Sequence, residues 1–245
     1  MLHIILDRKD ETYVPGEIVS GKVVMVNQAE KGDSQGLKFP FTFQLPRDLP
    51  SSFRRTTGRV VYTIDASATD PSNPKKDITA NLILIVNGML NLSHEMASNL
   101  NKPVQIEDSK KLGLFSGSGN IGFTFKLDKS LFAPGEFIGF SANLENHSKQ
   151  KIEPEITLVQ VMEFHVKQKM KTQTREVVNV TGPEVLPGRE EVWVGKDVLK
   201  IPDFVLPTGL GGPCKVIKLQ YTLKVFSELS IDCTSVVSEL NTYCT

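Results

Sequence analysis

The chain of 245 residues carries no net charge, because 28 basic and 28 acidic residues cancel. Without a global field to draw them in, nucleic acid is not expected as a partner, and contact with membranes is expected to be peripheral at most. No apolar run reaches the ~18 residues that a spanning helix needs. Cysteine is scarce: Cys214, Cys233 and Cys244 are an odd number with no CxxC spacing, and no secretory apolar segment opens the chain. A disulfide framework is therefore not expected, and a reducing, cytoplasmic setting is. In that setting the acceptor-like triplets at Asn91, Asn146 and Asn179 read as polar turn residues. His3, His94, His147 and His165 are scattered, none at metal-ligand spacing from another His, Cys or carboxylate. No phosphate-cradling G-x-G-x-x-G or G-x-x-x-x-G-K-[ST] opens a helix, no G-x-S-x-G is present, and no nucleophile stands with a base. The expectations are no enzyme, no metal and no cofactor.

What the chain does contain is an internal echo. Pro15 to Asn27 matches Pro134 to Asn146 at an offset of 119, each a Pro-Gly-Glu turn leading into an alternating run. A second echo pairs Val60–Ala66 with Leu219–Val225 at an offset of 159, each after a Leu-Pro punctuated loop (Leu45-Pro46 and Leu206-Pro207). Two echoes in the same order imply a duplicated β unit. The offset grows by 40 between them, so the first unit lacks a stretch that the second possesses.

Alternation supports strands over Ile18–Val26, Phe39–Leu45, Arg59–Ala68 and Asp77–Val86, then over Ile121–Leu127, Phe140–Asn146, Ile156–Thr172 with a long hairpin partner around Val177–Val180, and Ile217–Val225. Ile121, Phe123, Phe125 and Leu127 are expected inside one sheet face. Trp193 is expected to end a polar turn segment. The charged, then Gly/Ser-rich run Glu107–Ser118 reads as a connection, and the tail shows no clear alternation. The expected organisation is a first unit over 1–108, a hinge over 109–118, a second unit over 119–231 and an irregular tail over 232–245.

The segments ETYVPGEIVSGKVV, FPFTFQLPRDLPSSF, GRVVYTIDA, LFAPGEFIGFSANLENHS and CKVIKLQYTLKV together resemble the arrestin fold, and more narrowly the α-arrestins, or arrestin domain-containing proteins, a group that includes thioredoxin-interacting protein. The resemblance implies an all-β protein of two immunoglobulin-like β-sandwich domains in tandem. It also implies a cytoplasmic adaptor, recruited to the plasma membrane and endosomes, that binds cytoplasmic tails of membrane proteins and links them to trafficking or ubiquitin-ligase machinery. In the family several strands precede the FPFxFQLP strand where this chain has only Asn27–Lys38, and the tail differs from the family's last strand, so the chain resembles a shortened isoform. Family members recruit HECT-type ligases through PPxY motifs; this chain has no Pro-Pro pair. Alternative readings are a redox-regulated binding module and an isoform that interferes with full-length relatives.

A sandwich missing strands leaves apolar side chains uncovered, at roughly 1.5–3 kcal/mol for each large one, so Phe41 or Phe43 is expected to face water or a substitute partner. For recognition, a strand through Phe164–Lys171 places His165, Lys167, Lys169 and Lys171 on one face, suited to acidic or phosphorylated tails. The same pattern suits a solvated face with edge lysines that discourage aggregation. Cys214, before the penultimate strand, reads either as a redox thiol or as a small half-buried apolar residue.

Overall fold

Each Pro-Gly-Glu segment forms the same turn. In the computed structural model, which describes residues 1–26, 36–69, 77–90, 98, 102–112, 119–227 and 235–242, Gly16 and Gly135 hold φ of 86° and 81°. Glu17 N–H donates to Val14 O and Glu136 N–H to Ala133 O, both at 3.2 Å. Pro at the second place and a left-handed Gly at the third make this a type II turn, which only glycine adopts without strain.

The structure divides into two units, Met1–Met89 with Leu210–Pro213, and Leu90–Gly209 with Cys214–Thr245. Unit 1 contains β1 (Leu2–Leu6), β2 (Thr12–Tyr13), β3 (Ile18–Met25), β4 (Leu37–Gln44), β5 (Phe53–Arg54), β6 (Arg59–Val60), β7 (Tyr62–Ala68) and β8 (Ile78–Val86). They form sheets ordered β1-β3-β4 and β2-β8-β7, with β5-β6 as a short ribbon. Tyr13, Val19, Leu45, Leu84 and Val86 make its buried core, with Phe41, Tyr62 and Ile64 packed at the margin.

Unit 2 contains β9 (Val104–Leu112), β10 (Gly119–Leu127), β11 (Leu131–Phe132), β12 (Phe140–Asn146), β13 (Pro154–Val166), β14 (Lys169–Thr181), β15 (Arg189–Gly195), β16 (Ile217–Ser227) and β17 (Ser235–Thr242). Its sheets are β15-β12-β10-β9 and β11-β17-β16-β13-β14. Ile121, Phe123, Phe125 and Leu127 alternate into the core as their period-2 spacing requires, opposite Phe140, Ala142 and Leu144 on β12. Phe125 stacks on Phe140 with ring centroids 5.4 Å apart, and Phe140 meets Trp193 edge to face at 4.9 Å. From the other sheet come Ile156, Leu158, Met162 and Phe164 of β13 and Leu219, Tyr221, Leu223 and Val225 of β16.

The duplication is topological as well as sequential. The order β4-β3-β1 repeats as β15-β12-β10, and β2-β8-β7 repeats as β11-β17-β16, including the two-residue parallel pairings β2 with β8 and β11 with β17. Tyr62 O–H donates to Pro50 O and Tyr221 O–H to Leu206 O, both at 2.8 Å, so the second echo carries the same tyrosine anchor. In unit 2 the segment between β12 and β15 is the long hairpin β13–β14; between β3 and β4 no strand lies among the described residues. Most of the 40-residue difference falls at that hairpin, since 42 residues separate β12 from β15 and 11 separate β3 from β4.

Four expectations are corrected. Residues 109–112, read as hinge, are strand: β9 pairs with β10 along its whole length, so 104–108 also belong with the second unit; residues 113–118 lie outside the described residues. An edge strand tolerates a charged sequence, and edge charges discourage pairing between molecules, which is why composition read as linker. The supposedly irregular tail contains β17, the counterpart of β8; its register against β16 shifts between Thr222 and Lys224, and a bulge interrupts the alternation that reveals a strand. Trp193 lies within β15, paired with Ala142, and does not end a turn. The fourth is Phe164–Lys171, which is not one strand but the end of β13, a reversal and the start of β14.

Candidate functional site

The segment Phe164–Lys171 is the tip of the β13–β14 hairpin. β13 ends at Val166, Lys167 and Gln168 form the loop, and Lys167 holds a positive φ of 54°. Two central residues between antiparallel strands are the shortest hairpin connection, and one must enter the left-handed region. Because the chain reverses there, the four cations do not share a face. Lys169 pairs with Val166 and Lys171 with Phe164, while His165 pairs with Met170 on the opposite side. Imidazole Nε2 of His165 lies 3.0 Å from the Glu163 carboxylate, two residues back on the same face. Lys167, Lys169 and Lys171 are all exposed, beside exposed Val166 and Met170. The hairpin tip thus gathers three cations around a small apolar surface, a different object from a flat basic stripe.

Cys214 is a free, half-buried thiol in the loop before β16, which begins at Ile217. No His, Cys, Asp and Glu group among the described residues has the arrangement of a metal site. Among the described residues no helix is long and apolar enough to cross a membrane.

Beneath the Pro-Gly-Glu turns lies a feature that alternation does not reveal. Arg8 grips Glu17 through both guanidinium nitrogens, at 2.9 and 3.0 Å, and its Cζ lies 4.4 Å from the Tyr13 ring centroid. Val14 N–H donates to the same carboxylate at 2.7 Å. In unit 2 Lys129 bonds Glu136 and lies 5.1 Å from the Phe132 ring centroid, with Ala133 N–H on the carboxylate at 2.8 Å. A cation held between a ring and a carboxylate is fixed on two sides, so the turn it spans is pinned. The guanidinium of Arg8, with the Val14 amide, holds the Glu17 carboxyl below its ordinary value. The stability this adds is complete above the ordinary carboxylate pKa and is lost as pH falls through the lowered one. Glu17→Gln is therefore expected to lower the unfolding temperature at pH 7 and to lose that deficit in acid; thermal unfolding across pH checks it, and a deficit that persists in acid contradicts it.

The other unusual surface is the open side of unit 1. Phe39, Phe41 and Phe43 of β4 and Ile64, Ala66 and Ala68 of β7 help to line a cavity of about 510 Å³. Phe39 is 52% exposed and Phe43 40%, while Phe41 is half-buried. The sequence expectation of an uncovered phenylalanine is met at Phe43, and at Phe39 beside it.

Comparison with known proteins matches residues 117–243 to the family model "Arrestin (or S-antigen), C-terminal domain" and residues 35–92 to its N-terminal domain. Arrestin domain-containing protein 4 of Homo sapiens is 31% identical over 191 residues, covering 77% of this chain and 44% of that protein. Its Mus musculus counterpart is 30% identical over 192 residues, with the same coverage. Thioredoxin-interacting protein of Mus musculus is 25% identical over 191 residues, 77% of this chain and 46% of that one. The chain thus spans less than half the length of each relative. The N-terminal model begins at residue 35, yet residues 1–26 build β1, β2 and β3 of the same unit.

Proposed function

Since the chain belongs to the arrestin family, in its α-arrestin branch, we propose that it is a non-enzymatic adaptor whose second unit binds cytoplasmic tails of membrane proteins. The observation that carries this reading is the unbroken C-terminal-domain match over a unit whose two sheets are both built, with the hairpin tip at Lys167, Lys169 and Lys171 exposed. Ammonium groups attract acidic and phosphorylated peptides by charge, and Val166 and Met170 offer an apolar contact beside them. On this reading the protein works in the cytoplasm, is recruited to the plasma membrane and endosomes, and assists endocytic sorting.

The test is fluorescence anisotropy with acidic and phosphorylated tail peptides on the whole chain, followed by internalisation of a reporter bearing the peptide that binds. Replacing Lys167, Lys169 and Lys171 together by Glu is expected to weaken binding by about tenfold or more. Equal binding by this variant, or no preference for tail peptides over scrambled ones, refutes the assignment. The open cavity of unit 1 favours a second reading, in which the chain competes with full-length relatives for shared partners. Faster reporter internalisation on expression supports the adaptor; slower internalisation supports the competitor.

A further inference from the structure

The cavity of unit 1 has a defined shape because the duplicated unit shows what normally fills it. In unit 2, β13 runs antiparallel along β16 and sends Ile156, Leu158, Met162 and Phe164 into the space beneath the facing sheet. β7 is the counterpart of β16, and among the described residues its corresponding edge carries no strand. The missing element is therefore an extended strand with large apolar side chains at every second residue, antiparallel to β7. β4 meets that description: Leu37, Phe39, Phe41 and Phe43 share one face, and β4 is itself a sheet edge.

Backbone parity makes the edge usable. Leu45 N–H donates to Glu17 O, so by two-residue alternation Phe39, Phe41 and Phe43 bond towards β3, while Lys38, Pro40, Thr42 and Gln44 turn their backbone groups to the open side. Pro40 lacks an N–H, which removes one bond from any pairing there and sits where an edge strand tolerates it.

We propose that a second copy of this chain closes unit 1 reciprocally, with β4 of each copy lying along β7 of the other and its phenylalanines entering the other's cavity. In the antiparallel register that sets Phe39 against Ala66 and Leu37 against Ala68 of the other copy, these two large side chains meet small ones, while Phe41 falls against Ile64 and Phe43 against Tyr62. Lys38 then falls diagonally from Asp65 of the other copy on the outer face, within reach of a long side chain. Both are exposed in the single chain, so the pair is complementary in charge as well as in shape. Each contact occurs twice about a two-fold axis, so the assembly closes at two.

Sedimentation of the full chain over a range of concentrations tests this. A reversible dimer is expected, with Phe39→Ser shifting it to monomer. Lys38→Glu, at an exposed position that leaves the fold alone, is expected to weaken the dimer by about fivefold, and Asp65→Lys similarly. The double variant restores it. A chain monomeric at every concentration reached, an open-ended series of larger species, or a dimer indifferent to Phe39→Ser and to both charge reversals overturns the proposal. Asp65 also accepts from Asn81 at 2.6 Å, so recovery in the double variant separates the contact between copies from local damage.

Discussion

Asn146→Asp is expected to lower the stability of unit 2 by about 3–5 kcal/mol, although it changes one side-chain atom. Asn146 is fully buried at the end of β12, and its amide is saturated. The Nδ2 group donates to Gln150 O at 2.8 Å and to Val185 O at 2.9 Å. The Oδ1 atom accepts from Ser148 N–H at 3.0 Å, with Ser148 Oγ 2.7 Å away. A carboxylate keeps the second pair and turns the first into oxygen facing oxygen, in a site buried from solvent. The unfolding temperature is expected to fall by roughly 10 °C at pH 7. Burial raises the new carboxyl's pKa in the folded state, so the deficit is greatest above that pKa and narrows as pH falls through it. A change of only a degree or two at neutral pH contradicts this account of the latch.

Unit 1 of the dilute chain is expected to exchange its backbone amides at least about a hundredfold faster than unit 2, since two or three uncovered phenylalanines forfeit roughly 1.5–3 kcal/mol each. Among the described residues, eight buried apolar side chains belong to unit 1 and twenty-four to unit 2. Hydrogen exchange read by mass spectrometry over β3 and β8 against β13 and β16 gives the comparison. Equal protection in the dilute state means that unit 1 closes unaided. Protection that rises in β4 and β7 with concentration is the signature of closure by a second copy.

The legible parts of the fold are those where one side chain in two is buried. β10 and β12 announce themselves because both lie inside a complete sandwich, and the two Pro-Gly-Glu turns are visible because a left-handed glycine after proline has few substitutes. β9 and β17 escaped for opposite reasons, one because edge strands tolerate charge and the other because a bulge resets the alternation. The hairpin is legible but its reversal is placed too late, because the loop residues Lys167 and Gln168 include no glycine to mark it and the alternation runs on to Thr172. Arg8 and Lys129 were not seen because each meets its carboxylate only once the turn has formed: Arg8 is nine residues from Glu17 and Lys129 seven from Glu136. The open cavity, by contrast, was foreshadowed by arithmetic alone, since a shortfall of 40 residues between two echoes is a missing hairpin.

The assignment of Leu210–Pro213 to unit 1 bears on the order of folding during synthesis. Ser51 N–H donates to Leu210 O at 2.6 Å, and Gly88 and Gly211 approach too closely for either to carry a Cβ. Domains that are continuous in sequence fold as they emerge, amino-terminal first. Here the leading unit is completed by a segment more than a hundred residues downstream of β8. A nascent chain therefore leaves Ser51 and Gly88 without their Leu210–Pro213 cover until residue 213 has left the ribosome, the period in which an early-acting chaperone has most to shield.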